Sequence, residues 1–315
     1  MDKDIADYSR EAVSWFVPEE ELNATFEDAK ALFSTGLTEQ LEQITYKWLF
    51  KEFEVLFGRR SSVPCVLYGP PGTGKSYLAE AVAHRLVKKG GFSCMRISAA
   101  QYLTPYKGET EKIIGAIFKA AAEHAPCVLI LEDFELLCKN RDLSPLPDGG
   151  RTVAFLSSFS EARYCDPPIQ IICTTNYPGA VDPVFLYKSQ LVYVPYPDLA
   201  CRTNYFKKNL SVVPLEDGLS FEDMASKTDN YSFRDMNRVI NCVIHCLVDQ
   251  AIQENSVFKD GALDHKATDQ AAASAIEEGR VVLTRALFDE AISKAPLSDK
   301  TTILAELEKF QKSIL

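Results

Sequence analysis

Five short apolar runs punctuate the first two-thirds of the chain: Cys65-Val66-Leu67-Tyr68, Phe92 to Ile97, Val128-Leu129-Ile130-Leu131, Ile169 to Cys173 and Leu191 to Val194. Each is short, rich in branched or aromatic residues and bounded by breakers, as buried strands are. Between them the apolar positions recur at helical spacing. Leu78, Val82 and Leu86 share one face, and Ile113, Ile114, Ile117, Phe118 and Ala121 share another. Strands alternating with helices predict an α/β fold, a doubly wound parallel sheet with helices on both sides.

After Pro197 the strand pattern stops. Residues 199–210, 233–253, 284–294 and 301–314 read as helices, the last with an apolar stripe of Ile303, Leu304, Leu307, Phe310 and Ile314. That stripe is expected to pack on the body of the protein. Residues 255–280, with Asn, Asp, Gly, Glu and a small-residue run, read as an exposed insertion. Residues 1–25 are acidic and irregular, a tail or linker. The expected division is therefore a tail over 1–25, a large α/β part over 26–198, and a helical part over 199–315 that includes the last helix.

Charge and cysteine content narrow the classes of partner. The formal net charge is -10, which argues against coating nucleic acid. Nine cysteines are scattered without a CxxC pair, a pattern of buried thiols rather than a zinc site. Met1-Asp2-Lys3-Asp4 is charged and carries no apolar signal region, and no run approaches the roughly 20 apolar residues of a membrane span. A soluble, cytoplasmic protein is expected, with any membrane work peripheral.

The chemistry lies in Gly69-Pro70-Pro71-Gly72-Thr73-Gly74-Lys75-Ser76, between a predicted strand and a predicted helix. Glycines there let backbone N–H groups approach phosphate oxygens, and the helix N-terminus favours negative charge. Lys75 is placed to reach the β- and γ-phosphates of ATP, and Ser76 to ligate Mg²⁺. Such a site needs a carboxylate at the end of a neighbouring buried strand, and Glu132-Asp133 follows Leu129-Ile130-Leu131.

Together these segments resemble the AAA ATPases, most of all the group containing the vacuolar-sorting ATPase that disassembles ESCRT-III polymers, with katanin, spastin and fidgetin. The resemblance runs over roughly residues 26–315. Gly69 to Ser76 is similar to the group's phosphate loop throughout. Tyr106-Lys107-Gly108-Glu109-Thr110-Glu111-Lys112 resembles its pore loop, and Thr174-Thr175-Asn176 its sensor-1 segment. Tyr193-Val194-Pro195-Tyr196-Pro197 and Thr228-Asp229-Asn230-Tyr231-Ser232 resemble its subdomain-closing and lid-entry segments, and Leu304 to Phe310 its end helix. The resemblance implies a P-loop AAA+ sheet domain with a C-terminal helical lid, assembled as a hexamer. It implies that Asn176 orients the attacking water and that Tyr106, with Lys107 beside it, grips a polypeptide in the pore. Tyr77, Asp28 and Ala29 are implied as further nucleotide contacts.

Three departures from the group's pattern bear on activity. Its acid pair reads Asp-Glu, whereas here Glu132 precedes Asp133. Glu132 is expected to serve the Mg²⁺ shell. Asp133, one methylene short, is expected to activate water poorly, since a displacement of about 1 Å can cost on the order of 10²-fold. A one-residue slide of the chain would exchange the two. The group's consecutive arginines are replaced by Val184 to Leu191, where Lys188 is the only cation. An arginine finger is worth roughly 10³–10⁵ in turnover, and lysine lacks its planar fork. Arg234 falls where other AAA+ proteins place a sensor-2 arginine and is expected to supply part of the missing charge. The segment before Phe26 is too short for the group's N-terminal helical bundle.

The expected activity is slow ATP hydrolysis that remodels protein polymers such as ESCRT-III, peripherally at endosomal membranes, in a homo- or hetero-hexamer with an AAA paralogue and without nucleic acid. The alternatives are a nucleotide-binding regulatory subunit of mixed rings and a microtubule-severing ATPase.

Overall fold

In the computed structural model, the described residues are 12–50, 56, 63–103, 108–142, 149–255, 258–259, 262–263, 265–278 and 280–314. They divide into two compact units. One runs up to Pro195 and resumes at Lys300, and the other is Tyr196–Asp299.

The first unit is built on a five-stranded parallel sheet. Its strands are β1 (Cys65–Tyr68), β2 (Ser93–Ser98), β3 (Cys127–Glu132), β4 (Ile169–Thr175) and β5 (Gln190–Tyr193), in spatial order β2-β3-β4-β1-β5. The five apolar runs are these strands. β3 and β4 are buried along nearly their whole length because helices cover both faces, which is why they read as unbroken hydrophobic runs.

Side chains alternate between two cores. Cys65 and Leu67 join the side covered by α1 (Phe26–Leu32), α2 (Thr35–Leu49) and α3 (Lys75–Gly90). Val66 and Tyr68 join the side covered by α4 (Glu109–Glu123) and α5 (Gly149–Ala162). The apolar spacing did not predict α5, whose Phe155 and Phe159 are wholly buried. A short α6 (Pro183–Leu186) precedes β5.

Two expectations about the ends of this unit are corrected. The described part of the expected tail is packed. Trp15 is 2% exposed and meets the Tyr102 ring edge-on, and the Val17 amide donates to the Cys94 carbonyl at 2.9 Å. This segment covers the outer edge of β2, where unpaired backbone groups would otherwise face water. The last helix, α12 (Thr301–Ile314) in chain order, belongs to this unit and not to the helical part. Ile303, Leu307 and Phe310 lie in the same core as Val66 and Tyr68, and Phe310 meets the Tyr68 ring at 5.5 Å.

The second unit holds α7 (Leu199–Leu210), α8 (Phe221–Ser226), α9 (Phe233–Asn255), α10 (His265–Glu277) and α11 (Arg285–Lys294) around a core of Phe206, Met224, Val239, Val243 and Phe288. Side-chain caps start several of these helices: Asp198 accepts from the Cys201 amide, Ser220 from Asp223, and Thr284 from Leu287. Strands do not stop at Pro197. Phe258–Lys259 and Ala262–Leu263 pair as a minimal antiparallel ribbon, β6 and β7. The expected insertion also contributes α10, whose Thr268 and Ala275 are buried. Among the described residues no helix is long and apolar enough to cross a membrane.

Candidate nucleotide-binding site

β1 ends at Tyr68 and the chain turns sharply into α3. The turn needs glycine. Gly69 has φ 149°, and a Cβ there would lie 2.3 Å from the Val194 carbonyl oxygen just past β5. Gly72 and Gly74 take positive φ as well, and Gly74 caps the N-terminus of α3. Thr73 is fully buried and donates to the Pro70 carbonyl at 2.9 Å, which closes the loop on itself. The half-buried Pro71 and Ser76 flank that closure.

Lys75 is 7% exposed and folds back along the loop. Its Nζ donates to the carbonyls of Gly69 at 2.9 Å and Pro70 at 2.7 Å. A buried ammonium held by carbonyls over a glycine cradle at a helix N-terminus is a fit receptor for a polyphosphate. Ser76, in the first turn of α3, is placed for the accompanying Mg²⁺.

Beside this cradle, α1 packs on α3. Tyr77 stacks on Phe33 at 6.2 Å, and burial, with the charges of Asp28 and Glu80, pushes its phenol up to about 12. Asp28 accepts from the Thr25 hydroxyl at 2.6 Å, and the Asp28 amide donates back to that hydroxyl. Ala29 is wholly buried. Its amide donates to Thr25 and its carbonyl accepts from Phe33, so both its backbone groups are spent within the α1 turn. The expectation of nucleotide contact at Ala29 is therefore corrected.

The acids after β3 are arranged in an unexpected way. Glu132 pairs with Thr174 of β4 on one side and with Ser98 of β2 on the other. Its carboxylate is gripped by Arg96 of β2, whose Nε and Nη2 donate to the two oxygens at 3.3 and 3.0 Å. Arg96 also donates to Glu80 of α3 at 3.1 Å, and Glu80 in turn accepts from the Ala24 amide. Asp133 then turns the backbone into the left-handed region, φ 49°, which Asp tolerates better than most residues. Glu135 follows in a short turn of 3₁₀ helix and is buried.

Glu135 accepts a hydrogen bond from Thr175 at the end of β4. Burial pushes its carboxyl up, opposed by that hydrogen bond and by Lys75. Its Oε2 is buried with no hydrogen-bond partner. Asn176 follows directly after β4, half-buried, and the Tyr177 amide donates to the Thr175 hydroxyl at 3.0 Å, which fixes the bend after the strand.

The structure thus brings Lys75, Glu132, Asp133 and Asn176 to the same ends of adjacent strands. Arg96 and Glu135 were not singled out by motif. The available signals were a cation in an otherwise apolar strand run and a third acid within four residues of the strand end. Lys188 is exposed just after α6, beside Tyr187 at 87% exposure. Arg234 lies in the second unit, exposed, as the second residue of α9. The adjacent Asp235 is 1% exposed, accepting from the Ser232 and Ser298 hydroxyls rather than pairing with Arg234 on the surface. Tyr106 and Lys107 lie outside the described residues.

This cradle on a β2-β3-β4-β1-β5 sheet, followed by a helical unit, defines an AAA-type nucleotide-binding module. Residues 65–195 match the model of the ATPase family associated with various cellular activities, and this stretch is an AAA ATPase domain. The chain is 28% identical over 274 residues to the cell division cycle protein 48 homolog of Archaeoglobus fulgidus, covering 85% of this chain and 35% of that protein. It is 27% identical over 263 residues to a katanin p60 ATPase-containing protein of Sorex araneus, covering 81% and 50%. It is 32% identical over 197 residues to protein SAV of Sulfolobus acidocaldarius, covering 60% and 24%. The chain spans from about a quarter to half the length of these relatives.

Proposed function

We propose that this chain binds ATP-Mg²⁺ and hydrolyses it slowly, and that hydrolysis in a ring drives remodelling of a protein polymer. The observation that carries the reading is Lys75, buried and held by the Gly69 and Pro70 carbonyls at the α3 N-terminus. Phosphate oxygens are stronger acceptors than those carbonyls, so the ammonium transfers to them when nucleotide enters. Ser76 and the acids after β3 hold the metal, which neutralises phosphate charge during transfer. Asn176 orients water at the end of β4.

Slowness follows from the same structure. Glu132 is committed to Arg96, Asp133 is short, and Val184 to Leu191 offers only Lys188 to a neighbour. The polymer substrate of the reading is ESCRT-III-like, met peripherally at endosomal membranes in a hexamer. Relatives named for katanin favour microtubules as the other polymer to test. The Arg96–Glu132 pair favours a second reading, a regulatory subunit that completes its site only beside an AAA paralogue.

The test is steady-state ATP hydrolysis by the purified chain over a concentration series, with Lys75→Ala as the blank. Turnover rising cooperatively with concentration supports a self-sufficient ring. ATP binding with turnover at the blank level, restored by adding a paralogue, supports the regulatory subunit. Loss of ATP binding altogether would end both readings.

A further inference from the structure

We propose that Glu135 supplies the carboxylate that activates the attacking water in this site, a role the chain order alone would give to Asp133. This inference rests on the ATPase reading above.

Three acids follow β3, and their surroundings separate their work. Glu132 spends both oxygens on the Arg96 guanidinium. Asp133 sits at φ 49° where the chain leaves the strand, only partly buried and with the shorter side chain. Glu135 is 9% exposed, and its Oε2 has no protein partner. A buried carboxylate oxygen without a partner is costly, and native structures tolerate it mainly where function requires it.

The neighbours of Glu135 point to the phosphate end of the cradle. Thr175, one residue before Asn176, hydrogen-bonds its carboxylate, and Lys75 and Asp133 are close enough to act on its charge. One oxygen is thereby fixed to β4 and the other left for water. Burial raises its affinity for a proton, which suits a general base.

The step balances simply. The water oxygen bonds to the γ-phosphorus, the bond from phosphorus to the β,γ-bridging oxygen breaks, and ADP leaves with that electron pair. Glu135 takes the proton released by the water and returns it to the phosphate product.

A purely structural Glu135 would hold Thr175 equally well as glutamine, whose carbonyl accepts the same hydrogen bond. Glu135→Gln therefore separates the two roles. The measurements, on the full chain, are ATP-Mg²⁺ affinity, turnover, and the identity of bound nucleotide after acid quench. Glu135→Gln is expected to keep affinity within about threefold of wild type and lower turnover by about 100-fold or more, with the bound nucleotide recovered as ATP. Glu135→Asp, which keeps the acid but withdraws it by about one bond length, is expected to lose at least about tenfold in turnover at unchanged affinity.

Turnover of Glu135→Gln within about threefold of wild type would overturn the proposal, as would a parallel loss of affinity and turnover in both variants. Should the glutamine variant fail to fold, the aspartate variant decides alone. Wild type that binds ATP-Mg²⁺ without ever hydrolysing it overturns the proposal but leaves nucleotide binding intact. Wild type that binds no nucleotide overturns the ATPase reading itself.

Discussion

Arg96 binds both carboxylate oxygens of Glu132 and reaches Glu80 with its remaining nitrogen, so a cation from β2 is wedged between the end of β3 and the helix of the phosphate loop. The guanidinium is part-exposed and the two acids are mostly covered. Glu132 must surrender one of these bonds to join a metal shell.

Replacing the cation therefore favours the metal. Arg96→Ala is expected to tighten Mg²⁺-dependent ATP binding roughly two- to fivefold, the scale of a part-exposed ion pair, at a stability cost below about 1 kcal/mol. Isothermal titration with and without Mg²⁺ checks this. Weaker binding in the variant would mean that Arg96 itself helps hold the nucleotide.

Gly69→Ala places a methyl group 2.3 Å from the Val194 carbonyl oxygen, where only backbone can yield. We expect a loss of about 1–3 kcal/mol in stability together with loss of ATP binding. Chemical denaturation and nucleotide binding on the same sample test both. A variant that binds ATP normally would show that the close approach to β5 is dispensable.

The seat of α12 is equally open to test. Phe310 is 8% exposed and lies edge-on to Tyr68. Phe310→Ala is expected to destabilise the first unit by about 3 kcal/mol, toward the lower end for a buried phenylalanine. Hydrogen exchange should show faster opening of β1 and β5 with the helices of the second unit unchanged. The reverse pattern would assign α12 elsewhere.

Glu135 also imprints a pH dependence on stability. Burial raises its folded pKa above the unfolded value, so its contribution is fully present below the unfolded pKa and is lost as pH rises through the folded one. Glu135→Gln cannot ionise. Its stability relative to wild type should therefore rise as pH increases through that window and level off above it. Denaturation midpoints between acid and neutral pH measure this, and a constant difference would show that the carboxyl is not raised.

The sheet and the phosphate loop were legible in the sequence because both obey local rules. Fully buried parallel strands leave unbroken apolar runs, and the loop demands glycine where φ is positive. The Arg96–Glu132 pair was not legible, since it joins residues far apart in sequence through strand register. Glu135 escaped because three acids in a row of four look alike until burial distinguishes them. The stripe on α12 announced a helix that packs, but an amphipathic pattern does not name the surface it covers. β6 and β7, two residues each, are too short to leave an alternation.

The return of α12 to the first unit has a bearing on biosynthesis. The sheet strands leave the ribosome well before Phe310, with the whole of Tyr196–Asp299 still to be made. At ordinary elongation rates that interval is on the order of ten seconds. During it Tyr68 and its neighbours lack their cover, while the contiguous second unit is free to fold. The nascent chain is thus exposed to misassociation for a defined period, and chaperone capture is expected to be strongest for ribosome-bound chains stalled just before residue 300.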